Sequence, residues 1–213
     1  MNPYLDHIIW ACADLEHGSR RFEALTGVHP RYGGVHASGL THNALVDLGN
    51  RCYLEILAPV GPPGPRDDSW CRFARGAQEP RILTYCLRSP RPLSELASTF
   101  EAFGWKNAVV ASNGRTTPEG VRLRWQWLAP SVERFGFAFP FFIDWLDSPH
   151  PAESLGVAQP ESGILLQSFA VGHPDAPELH RILTQIGPAI DTYAADHAEF
   201  RVQLQTPLGT VSL

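Results

Sequence analysis

The 213-residue chain is 44% hydrophobic and 18% charged with a formal net charge of −5, an apolar content sufficient for a substantial core. Without a cluster of basic residues, it lacks the electrostatic footprint of a nucleic-acid-binding protein. It also has no charged and apolar leader after Met1 and no run of about 20 apolar residues, so we expect a cytoplasmic protein with neither a nucleic acid nor a membrane as partner.

The first predicted unit, residues 1–60, consists of a strand, a helix and three further strands. Its opening segment, YLDHIIWACADLEHGSRRFEALTG, reads as an apolar strand followed by an amphipathic helix. The helix ends at Gly27, a residue type that adopts the left-handed C-cap without steric cost. We then expect strands around 35–38, at THNALVDL and at CYLEIL, the last two joined by a tight turn at Gly49-Asn50.

A segment rich in proline, glycine and charge follows, and we predict residues 61–79 to be a linker. Trp70 and Phe73 are candidate contacts of a lid over a cavity, with a surface-anchored connector as the alternative. The four cysteines show no C-x-x-C spacing, so we expect reduced thiols. Cys71, in this linker, is the one we expect to be exposed.

The same order of elements returns in residues 80–147. RILTYCLRSPRPLSELASTFEAFG predicts a strand and a helix that ends at Gly104, and WKNAVVAS, VRLRWQWL and FPFFIDWL predict three strands. Between the first two of these strands, SNGRTTPEG reads as a turn.

A second linker is predicted at residues 148–162 and a partial third repeat at 163–213, which has a strand, a helix ending at Gly187 and a closing hairpin. His7, Thr84 and Gln167 each lie 20 residues before the glycine that ends the helix of their copy. A repeat of this length indicates a duplicated half-domain and not a solenoid. Because Gln167 has no ionisable group, we expect the third copy to stay outside any catalytic site.

The repeated βαβββ unit, opened by LDHIIWACADLEHGSRRFEALTG and closed by THNALVDLGNRCYLEILAP, resembles the vicinal oxygen chelate superfamily and its glyoxalase-like group. The resemblance covers residues 4–146. It implies an α+β fold in which paired βαβββ modules form curled mixed sheets around a cavity, here with a partial third βαβ(β) repeat at the C-terminus. The modules of this superfamily pair within one chain or across a homodimer, so a homodimer is one assembly that the resemblance allows.

The resemblance also implies a metal centre on the first and last strands of the units. By position, its ligands are His7, Glu55 and Asp144, with Thr84 in the place of a fourth. One imidazole and two carboxylates suit a divalent ion of Fe, Mn, Ni or Zn with an open position for substrate. Thr84 departs from the pattern because a neutral hydroxyl is a poor ligand for these metals, so we expect it to contact the substrate.

Each candidate ligand also has a purely structural explanation. A histidine early in a half-buried strand is often hydrogen-bonded to backbone, and Asp144 could be a strand end that reaches solvent. Glu55 is the strongest candidate, and the catalytic one, because a carboxylate within the apolar strand CYLEIL is costly to bury unless it is paired or coordinates an ion.

Candidate substrate contacts depend on which strand faces line the cavity. His42 and Asn43 point to opposite faces of one strand, so at most one of them faces inward, and we favour His42 as that residue. In VRLRWQWL, one register sends Arg124 into the cavity, where it would favour an anionic small molecule. The other register lines the cavity with Trp125 and Trp127.

Two functions follow from these residues. The first is a metal-dependent lyase, isomerase or dioxygenase that acts on a small oxygenated substrate. The alternative is a metal-free protein of the bleomycin-resistance type that binds or sequesters a small molecule. Retention of His7 and both carboxylates favours the enzyme, whereas Thr84 favours the binding protein. The scaffold alone does not decide between them.

Overall fold

The computed structural model describes residues 5–89, 91–102, 105, 108–130, 134–158, 163–187 and 190–213. Within them the chain forms twelve strands and five α-helices. The first set is β1 (Leu5–Ala11), α1 (Leu15–Thr26), β2 (Arg31–Val35), β3 (Thr41–Asp47) and β4 (Tyr53–Pro59). The second is β5 (Arg81–Arg88), α3 (Leu93–Ala102), β6 (Val110–Thr116), β7 (Arg122–Leu128) and β8 (Phe141–Asp144). The third is β9 (Leu165–His173), α5 (Ala176–Ile186), β10 (Asp191–Ala194), β11 (Glu199–Thr206) and β12 (Gly209–Ser212).

The two remaining helices lie in the segments predicted as linkers: α2 (Ser69–Gly76) and α4 (Pro151–Ala158). Helix α2 begins at Asp68, whose side chain accepts a hydrogen bond from the backbone N–H of Cys71. Because this helix packs against the body, Cys71 is buried, and the expectation that it would be exposed is wrong. None of the helices described is both long and apolar enough to cross a bilayer.

Each of three helices was predicted to end at a glycine, and the structure confirms the predicted left-handed cap at one of them. Helix α1 begins with the Asp14 carboxylate accepting from the N–H of His17 and ends at Gly27, which has φ +77° and the predicted left-handed conformation. Helix α5 also ends at a glycine, but Gly187 has φ 151° and ψ −100°, so its cap is not the predicted one. Gly104 lies outside the described residues.

The first two sets of strands form one mixed, curled sheet in the order β2-β3-β4-β1-β5-β8-β7-β6. Each set pairs its first strand in parallel with its last, β1 with β4 and β5 with β8. Antiparallel pairing of β1 with β5 joins them. The α+β fold of βαβββ modules around a curled mixed sheet is therefore confirmed.

The third set of strands forms a separate sheet in the order β10-β9-β11-β12. In this sheet the strand that follows helix α5, β10, pairs in parallel with the strand that precedes it, β9. The last two strands form an antiparallel hairpin, as predicted. The strand order therefore differs from that of the first two sets, although the sequence of elements is similar.

The two edge strands of the large sheet, β2 and β6, meet and nearly close it. The N–H of Ala37 donates to the carbonyl of Gly114 at 2.9 Å, and His36 pairs with Arg115 in an isolated antiparallel bridge. The expectation of a turn at SNGRTTPEG is corrected here, because residues 112–116 continue β6 as a strand. The strand predicted at 35–38 lies earlier, at Arg31–Val35.

The closure depends on a glycine in β2. Gly34 has φ +120°, and a Cβ at this position would lie 2.7 Å from the carbonyl oxygen of Thr116 in β6. We expect Gly34→Ala to lower the free energy of unfolding by about 1–3 kcal/mol, because it adds backbone strain and a clash with backbone. Urea denaturation measures the change. Gly76→Ala is the matched control because a Cβ there meets nothing within 4 Å, and a loss no larger than in this control would contradict the closure.

Strand β4 shows how the curled sheet divides the core. All seven of its residues are buried. Leu54 and Ile56 pack on one face with the helices, whereas Tyr53, Glu55 and Leu57 point to the interior of the curl. A strand buried on both faces carries a nearly continuous apolar run, so the single carboxylate stands out.

Candidate functional site

The concave face of the large sheet encloses a cavity of about 360 Å³, a size that suits a small organic molecule. Its lining comes from strands of both modules and from helix α2. The residues that line it are His7, His36, Ser38, Thr41, Asn43, Tyr53, Glu55, Leu57, Asp68, Ser69, Trp70, Asn113, Arg115, Trp125, Trp127, Phe141, Ile143 and Trp145. Most of the polar lining residues therefore come from the first module, and they face a wall of aromatic side chains from the second.

Glu55 lies at the centre of the polar groups and is only 5% exposed. The amide of Asn43 donates to its Oε1 at 2.7 Å. The Nε2 atom of His36 lies 3.5 Å from the same oxygen, and the Nε2 atom of His7 lies 3.5 Å from Oε2. Two imidazoles and an amide thus surround one buried carboxylate.

His7 is held in a fixed orientation by the residue before it. Its Nδ1 atom lies 2.7 Å from a carboxylate oxygen of Asp6, and its ring stacks on Tyr53 at 4.6 Å between ring centroids. Burial alone would raise the pKa of Asp6, but hydrogen bonds from His150 and His7 outweigh it and hold the pKa well below its usual value. Because an ionised carboxylate only accepts hydrogen bonds, Nδ1 of His7 carries the proton, and the Nε2 of a neutral ring presents its lone pair to the cavity.

His36 has a matching arrangement. Its Nδ1 atom lies 2.7 Å from the hydroxyl oxygen of Thr41, and the amide nitrogen of Asn43 lies 3.4 Å from its Nε2 atom. Since an amide N–H donates, Nε2 accepts and Nδ1 carries the proton. Burial lowers the pKa of His36, which favours the neutral ring. Its Nε2 lone pair therefore also faces Glu55.

A second polar cluster lies beneath the cavity floor. The carboxylate of Asp6 accepts from the indole N–H of Trp145 at 3.2 Å and lies 3.0 Å from Nε2 of His150, in addition to its contact with His7. The ligand atoms of Asp6, His7 and Cys86 lie within 4.8 Å of one another. Burial raises the pKa of the Cys86 thiol well above its usual value, and Asp6 already has three partners. This cluster is therefore suited to orienting His7.

Asn43 also carries an unexplained polar atom. Its Oδ1 atom is buried and has no hydrogen-bond partner within the described ranges. Buried unsatisfied polar atoms are uncommon in folded proteins and often mark functional positions. This atom adds to the indications that the polar end of the cavity is a site and not simply core.

Arg115 brings a positive charge to the cavity from β6. It is 6% exposed, and its Nη1 donates to the carbonyl of Gly33 in β2. A Cβ on Gly33 would lie 2.7 Å from this nitrogen, so the glycine makes room for the guanidinium. Burial lowers the pKa of Arg115 from its usual value.

Of the residues predicted for the site, His7, Asn43, Glu55 and Trp127 line the cavity, whereas His42, Thr84, Arg124 and Asp144 do not. On β3, Asn43 faces inward in place of the favoured His42, which lies on the opposite face in a T-shaped contact with the ring of Tyr32. On β7, the register that lines the cavity with Trp125 and Trp127 is the one adopted, so Arg124 is exposed.

The predicted metal ligands are not all brought together. Asp144 is exposed, and its Oδ1 atom accepts from the N–H of Leu146 at 2.9 Å. Its neighbours Phe141 and Ile143 line the cavity. Thr84 is buried opposite Ile9 without reaching the cavity lining. Strand alternation explains Asp144, since the residue after an inward-facing one points away.

The polar residues of the site and its floor that were not predicted include Asp6, His36, Arg115 and His150. Asp6 could have been found by the argument that identified Glu55, because it is a carboxylate inside an apolar strand. The sequence gives no comparable signal for His36, Arg115 and His150. They reach the site through pairing of β2 with β6 and through the segment before α4, which only the tertiary structure shows.

Comparison with known proteins agrees with this architecture. A sequence model described as a glyoxalase-like domain matches residues 5–187. The chain belongs to the glyoxalase-like domain family. This places it in the vicinal oxygen chelate superfamily, as the sequence predicted. No curated protein matches the sequence of this glyoxalase-like protein.

Solved structures show related folds for the glyoxalase-like protein. A hypothetical protein from Staphylococcus aureus aligns with a TM-score of 0.65 at 15% identity, over 95% of this chain and 81% of its own, which shows the fold alone. A Streptomyces coelicolor methylmalonyl-CoA epimerase variant in complex with 2-nitronate-propionyl-CoA has a TM-score of 0.47 at 18% identity, over 69% of this chain and 97% of its own. The Mycobacterium tuberculosis methylmalonyl-CoA epimerase reaches 0.43 at 16% identity, over 66% and 85%. With scores this low, the epimerases carry no argument about activity here.

Proposed function

We propose that this glyoxalase-like protein binds a divalent transition metal and acts as a lyase, isomerase or dioxygenase on a small oxygenated substrate. The observation that supports this most is the pair of Nε2 atoms, from His7 and His36, that lie 3.5 Å from the two oxygens of the buried Glu55 carboxylate. A buried carboxylate is costly unless it is paired or coordinates an ion. Two imidazoles and a carboxylate are ligand types that Fe, Mn, Ni and Zn accept.

The surroundings of the two histidines support the fit of a metal. Metal-binding histidines usually engage the other ring nitrogen with a carboxylate, hydroxyl or carbonyl, which fixes the tautomer and the ring orientation. His7 does so through Asp6 and His36 through Thr41. We therefore propose His7, His36 and Glu55 as the residues that would hold the ion. In this proposal His36 takes the role expected for Asp144.

The chain itself would contribute orientation, proton transfer and exclusion of water. A bound metal would supply Lewis-acid polarisation of a carbonyl or of vicinal oxygens. Asp6 keeps Nδ1 of His7 protonated, and Asn43 fixes Oε1 of Glu55 by hydrogen bonding. We propose Glu55 as the residue that would accept a proton from the substrate, at a carboxylate oxygen that the ion does not occupy. The aromatic wall excludes water, which strengthens each electrostatic interaction inside the cavity.

The role of His36 can be tested against a neighbouring histidine. We expect His36→Ala to weaken binding of Zn²⁺ or Mn²⁺ by at least about 100-fold, because even outer-shell changes at metal sites cost about 10–100-fold. Isothermal titration calorimetry of the metal-stripped protein measures this. His42→Ala is the matched control, since His42 lies on the opposite face of β3 and does not line the cavity. Equal metal affinity in wild type and His36→Ala would remove His36 from the site.

A metal-free binding protein is the second candidate. This candidate is favoured by strand β8 of the second module, which lines the cavity with Phe141 and Ile143 and contributes no carboxylate that could bind a metal. In addition, within the described part of the chain the three possible ligands that lie within 4.8 Å of one another are Asp6, His7 and Cys86, a group that does not include Glu55 or His36. Wild-type protein that takes up none of the four metals, yet is stabilised by small organic molecules in a thermal-shift screen, would establish this candidate.

A further inference from the structure

The cavity contains a buried positive charge that makes no direct ion pair within the described part of the chain, although the carboxylates of Glu55 and Glu119 attract it from a greater distance. Arg115 is 6% exposed and lines the cavity. Its guanidinium donates to the carbonyl of Gly33, and among the described residues no carboxylate oxygen lies within 4.0 Å of it. A guanidinium has five N–H donors in a planar fork. A backbone carbonyl can satisfy only part of this capacity.

Closure of the sheet does not explain the charge. Besides the hydrogen bond from the Arg115 guanidinium to Gly33, the contact between β2 and β6 is made by backbone groups, in the bridge of His36 with Arg115 and in the hydrogen bond from Ala37 to Gly114. An apolar side chain in place of Arg115 would allow the same backbone pairing without the cost of burying an unpaired cation. The charge is therefore better explained by something that enters the cavity.

We propose that Arg115 binds the carboxylate of the molecule that occupies this cavity, and that this molecule is a small organic acid with a flat apolar body. Guanidinium and carboxylate match in geometry and pair through two parallel hydrogen bonds. Trp125, Trp127 and Phe141 line the same cavity and would pack against the apolar body. A small organic acid would then be the substrate of the proposed function. Only the assumption that the substrate occupies this cavity rests on that function.

In the sequence, Arg124 was the candidate for binding an anionic substrate; in this proposal Arg115 takes that role. Arg124 is exposed on β7, and its backbone N–H and carbonyl bond the hydroxyl of Ser148. Arg115 lies in the segment that reads as a turn in the sequence, and closure of the sheet carries it to the cavity. The two arginines therefore form a matched pair of buried and exposed positions for a test.

The test compares an acid with its neutral isostere. Quenching of tryptophan fluorescence reports binding, because Trp70, Trp125, Trp127 and Trp145 line the cavity. The probes are benzoylformate and benzoylformamide. We expect wild type to bind the acid about tenfold to 100-fold more tightly than the amide, as for a charge-assisted hydrogen bond. Arg115→Met should bind both alike, Arg115→Lys should keep part of the preference, and Arg124→Met should keep all of it.

Three results would overturn the inference: wild type that binds acid and amide alike or neither at millimolar concentration, Arg115→Met that keeps the preference, or inorganic phosphate that binds more tightly than the acid. If Arg115→Met does not fold, the wild-type comparison and Arg115→Lys decide. Metal content of the same preparations separates this inference from the proposed function. Acid preference in wild type without metal would refute the metal centre alone, and metal without acid preference would refute the carboxylate site alone.

Discussion

Glu55→Gln is expected to reduce metal uptake from about one equivalent to nearly none, because it removes the only carboxylate of the proposed donor set while keeping its shape. The hydrogen bond from Asn43 to Oε1 can still form with the amide oxygen, so the fold should remain. Elemental mass spectrometry of the purified variant gives the stoichiometry. Circular dichroism verifies that the variant is folded.

Glu101→Gln is the matched control for Glu55→Gln, because Glu101 is exposed on α3 and does not line the cavity. Its metal content should equal that of wild type. Unchanged stoichiometry in Glu55→Gln would show that the carboxylate is not a ligand. The buried carboxylate would then serve only to accept the hydrogen bond from Asn43.

Asp6→Asn is expected to lower the free energy of unfolding by about 1–3 kcal/mol, the cost of leaving a buried hydrogen-bond donor without an acceptor. Asp6 is fully buried and accepts from Trp145 while it contacts both His7 and His150. An amide has one acceptor oxygen, and its NH₂ group would face an imidazole N–H. Chemical denaturation in urea measures the loss.

Asp144→Asn provides the comparison for Asp6→Asn, since Asp144 is exposed at the end of β8. It should change stability by no more than about 0.5 kcal/mol. A similarly small effect of Asp6→Asn would mean that the cluster beneath the cavity does not hold His7. Contacts other than the one with Asp6 would then have to orient the Nε2 atom of His7 towards the cavity.

The residues that the sequence identified lie on strands whose burial can be read from local pattern. CYLEIL is apolar on both faces, so Glu55 stands out within it, and the strand is buried throughout. The repeated strand and helix predicted the two paired modules and placed His7 at the start of the first. Local pattern also gave both registers of VRLRWQWL, but it could not choose the one that lines the cavity with Trp127.

The residues that the sequence missed or misplaced depend on long-range pairing. Arg115 lies in SNGRTTPEG, whose Asn-Gly and Pro residues favour a turn, yet pairing with β7 and β2 makes Ser112–Thr116 a strand. His36 follows β2 and reaches Glu55 only because β3 lies beside β4. Asp144 lies one residue after Ile143, which lines the cavity. Because a shift of one residue reverses the face of a strand, the Asp144 side chain points away from the cavity.

The most direct test of the account is the metal content of wild-type protein purified without an affinity tag or chelator, measured by mass spectrometry beside His7→Ala. The account predicts about one equivalent of a transition metal in wild type and a loss of most of it in the variant, because His7 supplies one of three proposed ligands. Wild-type protein that holds no metal after incubation with iron, manganese, nickel and zinc would contradict the metal centre. The cavity would then be that of a binding protein.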